Sequence, residues 1–155
     1  MYPTLSSCLA TGYNLVMNLK IHDASGWTMF IFGVLALILG LIGLLRPEFI
    51  LTVMGFQVLE RINRLPGDFT LVFVIASSMA SFNMGVYYVL AALNNIKIFY
   101  RWTVPFRVVT FLVFSTTVLT RLAPPAWLGV AAWELSGAIA TGLALKFENN
   151  KTVKE

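Results

Sequence analysis

Long apolar runs broken by short polar punctuation organise this chain. Four stretches, residues 27–45, 69–93, 102–119 and 127–145, approach the ~20 apolar residues needed to cross a bilayer core as a helix. Arg46-Pro47 ends the first, because proline disfavours helix at the residue before it. Leu65-Pro66-Gly67-Asp68 forms a turn before the second, with Asp68 placed to cap it, and Asn94-Asn95 closes it. Tyr100, Arg101 and Trp102 make an interfacial girdle at the start of the third, with Pro105 expected in its first turn. Pro124-Pro125 separates the third from the fourth, which restarts at Trp127.

A fifth apolar run, residues 49–59, is too short to span and is expected to lie at the interface or turn back on itself. Residues 1–26 mix apolar and polar types and read as an interfacial segment, with a short amphipathic helix over 13–21. They lack the basic start and continuous apolar core of a cleavable leader. Asp23 or Ser25 is expected to cap the first span, and residues 146–155 to form a frayed polar tail. The predicted fold is therefore all-α: a single transmembrane domain built as a four-helix bundle with short interfacial helices.

Composition agrees with this pattern. The chain has 155 residues, of which 58% are hydrophobic and only 12% charged, against about 25% charged in soluble domains. The net charge of +4 sits at span ends, where lipid and orientation account for it, so nucleic acid is not an expected partner. Lys20, Lys97, Arg101, Lys146, Lys151 and Lys154 fall on the side of the termini, and Arg46, Arg61, Arg64 and Arg121 on the other. That bias favours cytosolic termini in a multi-pass protein of an endomembrane such as the endoplasmic reticulum. Cys8 is the only cysteine and His22 the only histidine, so neither an intrachain disulfide nor a metal site is expected.

Chemistry concentrates on a few polar residues inside the spans. Glu134 is the only charge between Arg121 and Lys146, and a carboxylate at that depth costs roughly 2.5–3.5 kcal/mol on insertion scales. At 1.5 Å per residue, Glu134 and Asn83 lie roughly 17 Å from the side of the termini, and Arg107 and Tyr87 roughly 10 Å. Ala76, Ala80, Asn83 and Tyr87 form one helical stripe, as do Arg107, Thr110, Phe114, Thr117 and Arg121. Glu134, Gly137 and Thr141 share one side of the last span. These depths and phases suit one polar cavity containing Asn83, Tyr87, Arg107 and Glu134, with Asp68 as a reserve carboxylate. Gly33, Ala36, Gly40 and Gly43 form a small-residue stripe suited to close helix packing.

A carboxylate beside an arginine, with a tyrosine donor and an amide to orient water, suits acid–base opening of a strained lipophilic substrate arriving from the bilayer. Glu134 would act as base or nucleophile, Arg107 would hold developing negative charge, Tyr87 would donate a proton and Asn83 would place water. The length, the four-span layout and the stretch NMGVYYVLAALNNIKIFYRWTVPFR, residues 83–107, resemble small membrane epoxide hydrolase-like proteins of fungal polyketide biosynthesis, of the aurovertin and citreoviridin type. That resemblance implies hydrolysis or cyclisation of a polyketide epoxide without metal or organic cofactor.

Two shorter stretches carry other similarities. Pro124-Pro125-Ala126-Trp127 followed by Glu134 resembles a pattern of the sterol-isomerase and sigma-2-receptor-like fold, which keeps a sterol or amine ligand open. Glu60-Arg61-x-x-Arg64 is similar to the basic motif of the trimeric glutathione- and eicosanoid-metabolising family, but here a Pro-Gly turn follows at once. The non-enzymatic alternatives are a membrane scaffold for biosynthetic enzymes and a proton-coupled transport protein, which would need a homo-oligomer to form a path.

Overall fold

The computed structural model describes residues 21 and 23–152, and these are all-helical apart from turns. The amphipathic helix expected over 13–21, together with Cys8 and His22, therefore lies outside the described residues. Five α-helices follow in order: α1 (Ala24–Leu45), α2 (Pro47–Val53), α3 (Thr70–Leu93), α4 (Lys97–Leu119) and α5 (Leu128–Thr152). All but α2 are long and apolar enough to cross a membrane, so the chain is a multi-pass membrane protein.

The small-residue stripe of α1 is where α3 docks. Gly33, Gly40 and Gly43 are buried. A Cβ on Gly40 would lie 2.7 Å from the backbone nitrogen of Phe82, and one on Gly85 of α3 would lie 2.7 Å from the Gly33 carbonyl oxygen. Backbones thus approach as closely as small residues permit in a membrane helix pair. Ser81 Oγ donates to the Ala36 carbonyl at 3.2 Å across the same seam. On its other side α1 packs against α5, and α5 against α4. The fourth side of the bundle is not closed: α3 barely meets α4 and does not touch α5.

Several boundaries differ from those read off the sequence. The third span begins at Lys97, not at residue 102, because Asn95 takes a left-handed conformation (φ 51°) that turns the chain within three residues. Pro105 is consequently inside α4, where it removes the hydrogen bond to the Arg101 carbonyl. The tail does not fray at residue 146, since α5 continues to Thr152. Glu148 explains this. Its carboxylate accepts the Ser25 amide at 2.7 Å, the Ser25 hydroxyl at 2.8 Å and Lys97 Nζ at 2.6 Å.

Asp23 does occupy the cap position of α1, but its side chain reaches Lys97 Nζ at 2.6 Å and leaves the helix amide to Glu148. A carboxylate at a helix N-terminus meets both free N–H groups and the positive end of the dipole. One polar clamp therefore ties α1, α4 and α5 together at this end. At the other end, the run over 49–59 makes the short helix α2 and then a turn. There Phe56 packs on Trp127 at 5.6 Å between ring centroids.

Candidate functional site

Arg107 is the most enclosed charge among the described residues, at 5% exposure, and it comes from the middle of α4. Its guanidinium carbon sits 4.3 Å from the ring centroid of Phe32 on α1 and 5.0 Å from that of Tyr88 on α3. Such cation–π contacts strengthen when water is excluded. Gly137 on α5 makes the seat possible, because a Cβ there would overlap Nη1 of Arg107. Phe32 is fixed in turn by Trp133, at 4.6 Å between centroids. Four helices thus contribute to one position.

Glu134, on α5, faces this guanidinium with Oε2 3.9 Å from Nε. That is an ion pair but not a hydrogen bond. Arg107 and Glu134 are thus brought together. Nε and Nη1 are enclosed and have no hydrogen-bond partner among the described residues. Glu134 keeps 24% side-chain exposure and opens onto a cleft.

The cleft has a volume of about 360 Å³, within the range of small-molecule sites. Tyr88 and Met84 line it from α3, Phe99, Trp102, Thr103, Phe106, Arg107 and Thr110 from α4, and Glu134 from α5. Aromatic rings make most of the wall, and Tyr88 meets Phe99 edge-on at 5.8 Å. Thr103 and Thr110 donate to the Phe99 and Phe106 carbonyls of their own helix, at 2.7 and 3.0 Å.

The other three candidate residues do not line this cleft. Tyr87 is 56% exposed on the outer face of α3, and Tyr88 takes the position expected for it. Asn83 is likewise on the exposed face, one residue from Met84, which does reach the cleft. Asp68 lies before α3, about 30 Å along the helix axis from Tyr88. Its carboxylate accepts the Thr70 hydroxyl at 2.5 Å, the Thr70 amide at 2.9 Å and Arg64 Nη1 at 2.8 Å, while the cap position of α3 expected for it is taken by Phe69. Those hydrogen bonds, from Thr70 first and then Arg64, hold its pKa below the ordinary aspartate value.

A larger depression, about 860 Å³, is lined by Ile42, Leu45, Arg46, Glu48, Phe49 and Arg61. Of its charges Arg46 is exposed and the other two pair, Glu48 Oε1 lying 2.6 Å from Arg61 Nε. That bond keeps the Glu48 carboxyl below its usual range, and the pair is what an exposed loop carries without function. Among the described residues no group of three or more His, Cys, Asp or Glu side chains could hold a metal ion.

No protein-family model matches the chain, and no curated protein or solved structure is significantly similar to it.

Proposed function

We propose that the protein is a small integral-membrane enzyme that uses acid–base chemistry on a lipophilic substrate, in its most specific form an epoxide hydrolase or cyclase. One observation carries this reading: a carboxylate and an unsatisfied arginine meet at the floor of an aromatic cleft inside a membrane bundle. Charges at that depth are rare and mark functional sites by default. The resemblance to polyketide epoxide hydrolase-like proteins points the same way.

In epoxide opening, Glu134 takes the proton of a water or a substrate hydroxyl as its oxygen attacks a ring carbon. The ring C–O bond breaks, and Arg107 stabilises the oxygen as it gains charge. That oxygen then takes up the proton held by Glu134, giving a diol from water or a cyclic ether from a hydroxyl. Tyr88 replaces Tyr87 as the tyrosine close to this chemistry, and no role is assigned to Asn83 or Asp68. Cytosolic termini in an endomembrane fit the basic residues at the Lys97 end.

The test is turnover of a lipophilic epoxide panel by purified wild type and Glu134→Gln, matched for folded protein and read by mass spectrometry. Diol or cyclic ether from wild type, reduced at least ~100-fold in the variant, is the expected result for loss of a general base. Equal turnover would remove Glu134 from the mechanism. No turnover of any epoxide by wild type would favour a scaffold or transport role.

A further inference from the structure

The fourth side of the bundle, between α3 and α4, is where the cleft opens. Beyond the tight turn at Asn94–Ile96 these two helices separate. Met84, Trp102 and Phe106 are exposed on the rim of the gap. In spanning helices an exposed apolar flank faces lipid, so the mouth is reached sideways from the bilayer.

Arg107 is the charged donor that lines the cleft, beside the Tyr88 hydroxyl and the Trp102 indole N–H. The lining threonines donate to their own helix, whereas Arg107 makes no hydrogen bond to any described residue, and two of its nitrogens are enclosed without a partner. A guanidinium carries five N–H donors in a fixed fork, and leaving a buried polar group unpaired is costly. Phe32, Tyr88 and Gly137 hold this fork in place with Nε and Nη1 enclosed, which leaves Nη2 as the donor that an acceptor entering the cleft can reach. Glu134 already supplies the balancing negative charge 3.9 Å away. A ligand carboxylate would bring a second negative charge against it in a low-dielectric site.

We infer that the cleft takes its ligand laterally from the bilayer and binds, through Arg107, a neutral carbonyl or ether oxygen on a flat unsaturated body. The flatness follows from the aromatic walls of Tyr88, Phe99, Trp102 and Phe106, against which conjugated surfaces stack in offset or edge-on geometry. This deepens the enzymatic reading by naming the substrate class, and it shares that reading's cleft. It does not depend on turnover.

The experiment uses three probes of one shape: methyl parinarate, parinaric acid and the corresponding oxygen-free tetraene. Retention of each by the full chain is measured by native mass spectrometry. Saturable quenching of tryptophan emission in nanodiscs gives a second readout. The expected result is one ester per chain, held about ten- to hundredfold more tightly than the hydrocarbon, with the acid weaker than the ester. Gly137→Ala, which displaces the guanidinium without removing it, and the charge-free pair Arg107→Gln with Glu134→Gln should both lose the preference for the ester.

Equal retention of all three probes would overturn the proposal, since it signals partition into lipid. Tightest binding of the acid would overturn the neutral acceptor and assign an anion. A preference surviving in Gly137→Ala would remove Arg107 from recognition, and that variant decides the matter should the double variant fail to fold. Binding as expected with no epoxide turned over would refute the enzyme and leave the binding site. Turnover without the ester preference would do the reverse.

Discussion

Gly33→Ala tests the link between helix packing and the cleft. Gly33 is buried on α1 directly behind Tyr88, and a Cβ placed there would lie 2.9 Å from Tyr88 Cβ and 3.0 Å from both the amide nitrogen and Cγ2 of Val89. Comfortable separations for such atoms are about 3.5–4.0 Å. Two of the three obstacles are backbone or Cβ atoms, which no rotamer change can move. The helices must therefore part by roughly 0.5–1 Å at this level. Overpacking of this kind costs about 1–3 kcal/mol, opposed by up to ~1 kcal/mol gained when alanine replaces glycine inside a helix.

Gly142→Ala isolates the packing cost. Gly142 is also inside a helix, but its new Cβ would meet only Val104, at 3.6 and 4.0 Å, which is ordinary contact. The propensity gain is common to both variants, so their difference in stability reports the clash alone, about 1–3 kcal/mol with Gly33→Ala the weaker. The assay is reversible unfolding in mixed micelles under increasing denaturing detergent, followed by circular dichroism. Because Tyr88 moves with α3, Gly33→Ala should also loosen the Tyr88–Arg107 stack and weaken retention of the ester probe. Equal stability of the two variants would refute the close approach of α1 and α3 on which the placement of Tyr88 depends.

Two further outcomes follow from the charges. The hydrogen bonds from Thr70 outrank Arg64 in lowering the Asp68 pKa, so Thr70→Val should move the Asp68 midpoint upward by more than Arg64→Gln does. A carboxyl titration by nuclear magnetic resonance reads this, and the opposite ranking would contradict the geometry. The folded group ionises below the unfolded one, so its stabilisation is complete above the unfolded pKa and is lost only as pH falls through the folded value. For the cleft, Glu134→Leu alone should cost about 2–3 kcal/mol, less than the 3–5 typical of breaking a closed buried pair. Glu134 keeps 24% exposure and lies beyond hydrogen-bond distance, which places it at the lower end. Arg107→Met with Glu134→Leu should restore stability to within about 1 kcal/mol of wild type. Detergent unfolding decides it, and a double variant as weak as the single one would make the pair structural.

Run length made the bundle legible, whereas two kinds of feature were not. The first kind is distant pairing. A tail with Lys146, Glu148 and Asn149 reads as frayed because its partner, Ser25, is 123 residues away. No local pattern announces that a carboxylate there will cap α1. The second kind is helical phase. Adjacent residues on a helix differ by about 100°, so choosing Tyr87 over Tyr88 turned the expected site toward the outside of α3. The stripe running through Ala76, Ala80, Asn83 and Tyr87 has regular spacing but no neighbouring helix to face. The face that docks runs through Ser78, Gly85, Tyr88 and Ala92. Gly85 was the available signal, because it matches the glycine stripe of α1 and a small residue marks close backbone approach. Reading α3 from its glycine, three residues before Tyr88, would have selected the correct tyrosine.

The open fourth side gives that difference a consequence for function. A four-helix bundle closed on all sides would seal Arg107 from any ligand. Here α3 packs mainly along α1 and meets α4 chiefly near the turn, where Tyr100 Oη donates to the Ala91 carbonyl at 3.0 Å, so one of its faces packs while the next lines a cleft. The clamp of Asp23, Ser25, Lys97 and Glu148 holds α1, α4 and α5 at one end without involving α3. The two walls of the cleft therefore belong to differently anchored parts: Phe99, Trp102 and Phe106 to the clamped helices, Met84 and Tyr88 to the helix held by the glycine seam. Widening the mouth requires α3 to move away from α4, which draws Tyr88 off the guanidinium while Glu134 and Gly137 of α5 stay beside Arg107. The charged pair thus rests on the clamped helices α4 and α5, and the wall on α3 is the part of the cleft able to yield.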